Sequence, residues 1–132
     1  MKINIVLGIL LLLSHTNIFT QNTILEKQLH SNWEFKKKED KRWYKATVPG
    51  CVHTDLMDNG IIKDPYYRLN ESKAQWVDKE DWVYKSTFSL NDDDYQKQHH
   101  EIKFEGLDTY ASVYLNGSLI LQSNNMHRTY II

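Results

Sequence analysis

Apolar and polar residues alternate along most of this chain, and the places where the period changes mark its elements. The beginning stands apart. Met1-Lys2 is a charged start, Ile3 to Leu13 is apolar except for Asn4, and Ser14 to Gln21 turns polar. These are the three zones of a secretory signal peptide, so residues 1–20 are expected to be a leader cleaved near Thr20-Gln21. The apolar run is shorter than the roughly 20 residues a membrane-spanning helix needs. Beyond it, Trp33 and Phe35 alternate with polar neighbours, and Trp43 to Val48 forms a second short strand candidate ended by Pro49-Gly50. Val52 to Asn59 changes period, placing Val52, Leu56 and Met57 on one side of a short helix that stops at Gly60. Asp64-Pro65 marks a turn, and Asn70 is expected to cap a helical piece through Gln75.

From Trp82 the strand period returns. Trp82, Tyr84 and Phe88 fall on one face, with Lys85 and Thr87 on the other. Asn91 to His100 reads as a polar loop, after which Ile102 and Phe104 alternate with Lys103 and Glu105. Tyr110 to Leu115 and Ser118 to Leu121 flank Asn116-Gly117, a dipeptide suited to the two positive φ angles of a type I′ hairpin turn. The pattern predicts an all-β sandwich with a few short helical turns. Its expected core is Trp82, Tyr84, Phe88, Ile102, Phe104, Ala111, Val113 and Leu115.

Composition narrows the class. The chain has 132 residues, 41% hydrophobic and 25% charged, with 16 basic and 17 acidic side chains and a formal net charge of −1. That balance speaks against nucleic-acid binding, which needs a basic excess to neutralise phosphates. One domain of ordinary size fits the length, whereas a (β/α)₈ barrel takes about 250 residues. Export permits disulfides, but Cys51 has no partner within the chain and reads as a small buried thiol.

Candidate chemistry is sparse. No phosphate-binding glycine loop, nucleophile elbow or zinc spacing occurs. Asp92, Asp93 and Asp94 lack the glycine and later glutamate of a calcium loop, and His99-His100 has no second ligand pair at zinc spacing. They read as solvated turn residues. Four Trp and eight Tyr suit stacking on sugar rings, but a small sandwich core uses the same residues.

The order of several stretches is more specific than their composition. Trp43-x-x-Ala46 leads into Val48-Pro49-Gly50-Cys51-Val52-His53-Thr54-Asp55-Leu56, followed by Asp64-Pro65-Tyr66-Tyr67-Arg68 and Asn70-Glu71. Then come Trp76-Val77, Asp81-Trp82-Val83-Tyr84, Gly106-Leu107-Asp108-Thr109-Tyr110-Ala111, Leu115-Asn116-Gly117 and Asn125-Met126-His127-Arg128. From about Leu29 onward the chain resembles the N-terminal domain of β-mannosidases of glycoside hydrolase family 2. The resemblance implies a galactose-binding-like jelly roll that packs on a (β/α)₈ barrel holding two catalytic glutamates. It also implies removal of terminal non-reducing β-D-mannose with retention, which needs two carboxyl groups about 5–5.5 Å apart. Neither glutamate belongs to this segment, so no catalytic residue is expected here. Glu71 follows Asn70 but matches a structural motif of the first domain rather than the barrel's Asn-Glu.

In the family the domain runs on past the Asn-Met-x-Arg block to further strands and a Trp-Asp-Trp-Gly stretch. The expectation is therefore a leader at 1–20 and a β-sandwich at 21–132 that is incomplete at its C-terminus, a fragment inactive by itself. His53 and Asp55 are expected to make structural hydrogen bonds. Asn125, on the loop after the hairpin, is the one candidate for contact with substrate. No cofactor or metal is expected. The implied partners are a manno-oligosaccharide or glycoprotein-derived β-mannoside and the barrel of the same protein, with no nucleic acid and no membrane after signal cleavage. The implied location is secreted or periplasmic, or lysosomal in a eukaryote. A non-catalytic carbohydrate-binding module and an inactive remnant are the alternatives.

Overall fold

The structure, a computed structural model, describes residues 24–132, so the expected leader lies outside the described residues. The elements run β1 (Glu34–Lys37), β2 (Tyr44–Lys45), α1 (Val52–Asp58), α2 (Asn70–Ala74), a 3-10 turn (Val77–Lys79), β3 (Trp82–Lys85), α3 (Asp92–Tyr95), β4 (Lys103–Phe104), β5 (Ala111–Leu115), β6 (Ser118–Ser123) and β7 (Tyr130–Ile131). Among the described residues no helix is long and apolar enough to cross a membrane.

Three antiparallel units result. The first has the order β2-β1-β3, with Phe35 facing Tyr44 on one side and Tyr84 on the other. β4 pairs with β7, and β5 pairs with β6. The β5–β6 turn is as expected: Asn116 and Gly117 take φ of 49° and 83°. Pairing slips between Val113 and Tyr114, which leaves Ile120 as a bulge.

The core forms where alternation and helix meet. Phe35 is fully buried, with the rings of Tyr84, Trp82 and Tyr44 centred 5.5, 5.8 and 6.0 Å away. Leu56 from α1, Val77 from the 3-10 turn and Ala46 complete it. Burying a side chain the size of Phe35 or Leu56 stabilises by about 1.5–3 kcal/mol each. Trp82 also turns its indole N–H to the Val77 carbonyl, 3.0 Å away, which ties β3 to the turn before it.

The expected core is thus only partly right. Trp82 and Tyr84 pack against the cluster, but Ile102, Phe104, Ala111 and Val113 are half-buried, and Phe88 and Leu115 are exposed. Phe88 lies past the end of β3, where the strand period no longer applies. The others sit in two-stranded units apart from the Phe35 cluster. Two further expectations are corrected. Leu69, not Asn70, occupies the cap of α2, because the Asn70 amide turns back to donate to the Asp64 carbonyl at 3.0 Å. The Asn91 to His100 stretch is not all loop: Asn91 accepts the Asp94 N–H at 2.7 Å and caps α3, whose first-turn aspartates favour a helix start.

The fold class stands. As expected, the chain is built mostly of strands with short helices, and its described sheets do not close into a barrel.

Candidate functional site

Two clusters gather the motif residues. The first centres on Asp55, which is 1% exposed. The Val48-Pro49 peptide is cis, and Gly50 follows where an added Cβ would collide with the Thr47 carbonyl oxygen. Only glycine fits that corner. The chain then enters α1, where Cys51 N–H donates to Thr54 Oγ1 at 3.3 Å and Thr54 Oγ1 donates to the Cys51 carbonyl at 2.7 Å. One turn on, Asp55 points back under the corner. Its Oδ1 accepts the Thr47 N–H at 2.8 Å and its Oδ2 accepts the Tyr84 hydroxyl at 2.8 Å.

Both carboxylate oxygens are therefore engaged, and the group is closed to solvent. It clamps the corner, α1 and β3 together. Burial pushes the Tyr84 phenol well above its usual range, and the hydrogen bond to the Asp55 carboxylate adds to that. Asp55 thus has the structural role expected of it. His53, one residue before Thr54, has its Nε2 3.8 Å from Asp78 on the 3-10 turn, a partly exposed pair that contributes little.

The second cluster surrounds Asn125. Gly106 lies beneath this turn, where an added Cβ would come 3.3 Å from the Met126 carbonyl oxygen. Thr109 Oγ1 reaches Met126 Sδ at 3.8 Å, and buried Ser123 bridges the Ala111 N–H and the Thr109 carbonyl at 3.1 Å each. The Gly106–Ala111 and Asn125–Arg128 stretches, distant in sequence, thereby meet. Asn125 is exposed, and its Oδ1 accepts the His127 N–H at 2.9 Å. That bond orients the amide so that its nitrogen has no protein partner among the described residues. A donor is left facing water.

The remaining candidates stay apart. Cys51 is exposed rather than buried, because it occupies the cap position at the start of α1. His99 pairs with Glu101 at 3.0 Å, whereas His100 turns to the Asp94 carbonyl at 2.8 Å, so the two imidazoles do not converge. Among the described residues no three His, Cys, Asp or Glu side chains cluster.

Residues 33–132 match the family described as glycosyl hydrolase 2 galactose-binding domain-like, and the chain belongs to it. Its relatives are more specific. The chain is 37% identical over 124 residues to a beta-mannosidase of Bos taurus, covering 94% of this chain and 14% of that one. It is 40% identical over 108 residues to beta-mannosidase B of Aspergillus clavatus, covering 74% and 12%. The crystal structure of the beta-D-mannosidase from Dictyoglomus thermophilum matches with a TM-score of 0.76 and 46% identity, covering 78% of this chain and 13% of that chain. The chain spans between about one-eighth and one-seventh of the length of these relatives.

Proposed function

We propose that this chain forms the N-terminal domain of an exported, retaining β-mannosidase that removes terminal β-D-mannose from manno-oligosaccharides or glycoprotein-derived β-mannosides. The observation that carries the reading is the 37% identity to a beta-mannosidase across 94% of the chain. The acid and the nucleophile of retaining hydrolysis belong to a separate barrel domain of the same protein, and residues 21–132 serve as the β-sandwich packed on it. Residues 1–20 direct export. The exposed Asn125 amide is available to a sugar hydroxyl at the rim of the site, held in place by its bond to His127.

The experiment is a domain exchange. Residues 33–132 replace the matched segment of the Dictyoglomus thermophilum enzyme, and hydrolysis of an aryl β-mannoside is followed. The chimera is expected to be active, and the 132-residue chain alone to show no turnover above buffer. A soluble, folded chimera without mannosidase activity refutes the reading. So does turnover by the isolated chain that survives repurification.

A further inference from the structure

The loop Asp64–Asn70, between α1 and α2, takes no part in either cluster. Its base is closed by its own polar groups. Asp64 Oδ1 accepts the Tyr66 N–H at 2.9 Å, and the Asp64 carbonyl accepts the Tyr67 N–H at 3.2 Å and the Asn70 amide at 3.0 Å. These ties hold the tip outward: Tyr66 is 97% exposed, Leu69 77% and Tyr67 57%. Arg68 sits at φ 54°, a left-handed conformation that costs free energy for any residue with a Cβ. Its guanidinium lies 5.1 Å from the centre of the Tyr67 ring.

A chain that only needed to turn here has no physical reason to hold two tyrosines and a leucine in water on a hydrogen-bonded, locally strained frame. Backbone outliers that persist against their cost cluster at functional sites. Tyr and Arg are also the residues that dominate protein interfaces, and a loop fixed in advance loses less entropy on docking. Side chains this exposed line no enclosed cavity, whereas small-ligand sites are concave. Two grooves of the described surface lie elsewhere, between Lys27–Asn32 and Ser86–Ser89 and beside Lys37–Glu39. The occupant is therefore a protein surface. Relatives carry about six-sevenths of their length outside the segment matched here, which provides such a surface in the same polypeptide.

We propose that Tyr66, Tyr67, Arg68 and Leu69 form a docking tip that seats in the remainder of the β-mannosidase polypeptide. This rests on the reading of the chain as a β-mannosidase domain. The receiving surface offers an apolar recess to Tyr66 and Leu69 and an acceptor to Arg68.

The test uses the chimera described above and O-acetylation of tyrosine by N-acetylimidazole, read by peptide mass spectrometry. Tyr66 is expected to lose its reactivity in the native chimera and regain it in urea. Reactivity equal in both states overturns the proposal. The double variant Tyr66→Ser/Leu69→Ser is expected to lower the thermal midpoint of the chimera, whereas Tyr95→Ser, equally superficial but outside the loop, leaves it unchanged. Equal midpoints for both variants overturn the proposal. Protection of Tyr66 that appears only at high chimera concentration identifies a second copy as the occupant and also overturns it. A folded chimera that protects Tyr66 but does not hydrolyse mannosides supports docking while refuting the activity, and an active chimera with reactive Tyr66 does the reverse. Should the chimera not fold, the 132-residue chain is mixed with the Dictyoglomus enzyme lacking its matched segment. Protection of Tyr66 then supports docking, and unchanged reactivity overturns it.

Discussion

Removing the Asp55 carboxylate is expected to cost a large part of the stability of the described residues. Asp55→Ala deletes both bonds at once, those from the Thr47 N–H and the Tyr84 hydroxyl. A hydrogen bond to a charged group contributes about 1.5–3 kcal/mol, and an orphaned buried donor costs about 1–3 kcal/mol. The Thr47 N–H has no replacement partner beneath the corner, so a loss of about 3–4 kcal/mol follows for Asp55→Ala. Tyr84→Phe removes one bond and leaves Asp55 Oδ2 without its donor, for about 2 kcal/mol. Whole domains are typically stable by only about 5–15 kcal/mol, so the alanine variant removes a large share of what holds the chain folded. Urea unfolding of the 132-residue chain, followed by tryptophan fluorescence, measures each loss, because Trp82 packs on Phe35 in the same cluster. The double variant isolates the pair. Its loss is expected to fall short of the sum of the single losses by about 1.5 kcal/mol or more. Strict additivity, or an Asp55→Ala chain within about 0.5 kcal/mol of the parent, refutes the clamp.

Four further outcomes follow from the same geometry. Tyr84 is held protonated above its usual value of 10.0, so the stability linked to it is complete below about pH 10 and lost as pH rises beyond that. Urea midpoints from about pH 8 to about pH 11 should therefore fall more steeply for the parent than for Tyr84→Phe. Gly50→Ala forces a Cβ against the Thr47 carbonyl and should cost about 1–3 kcal/mol in the same unfolding assay. Gly117→Ala places a Cβ at φ 83°, with an expected loss of about 1–2 kcal/mol read by thermal unfolding. In the chimera, Asn125→Ala should raise KM for an aryl β-mannoside with kcat nearly unchanged, and an unaltered KM assigns Asn125 to the turn alone.

The hairpin and the fold class were legible in the sequence because their causes are local. Asn116 and Gly117 both tolerate positive φ, and alternation put Trp82 and Tyr84 on the face that packs on the core, whereas Phe35, though seen to alternate, was not expected at its centre. The clamp was only half legible. Asp55 was expected to bond structurally, but its partners Thr47 and Tyr84 lie 8 and 29 positions away, and no local rule pairs them. Leu56 stood on the apolar side of a helix that was expected, yet a core list drawn from strands omitted it along with Val77. Cys51 was misplaced for a related reason. Its hydrophobic character suggested burial, whereas the start of α1 fixed its position at the surface. For Asn125 the sequence offered a polar residue on a loop, and only the bond from His127 shows which end of the amide is left open.

The register of β1 carries a consequence for synthesis on the ribosome. Lys37 meets Glu80 across 43 positions, and the strand pairing of Phe35 with Tyr84 closes the same long loop. At about 5–20 residues per second, β3 emerges roughly 2–10 s after β1. The β5–β6 hairpin closes within about 1–10 μs of being made, since its two strands are joined by a tight turn. For those seconds Phe35 has no Tyr84 or Trp82 to pack against, and β1 has one long edge unpaired. The nascent chain is thus most open to chaperones, and to neighbouring chains on the same message, in the interval between its first strand and its third.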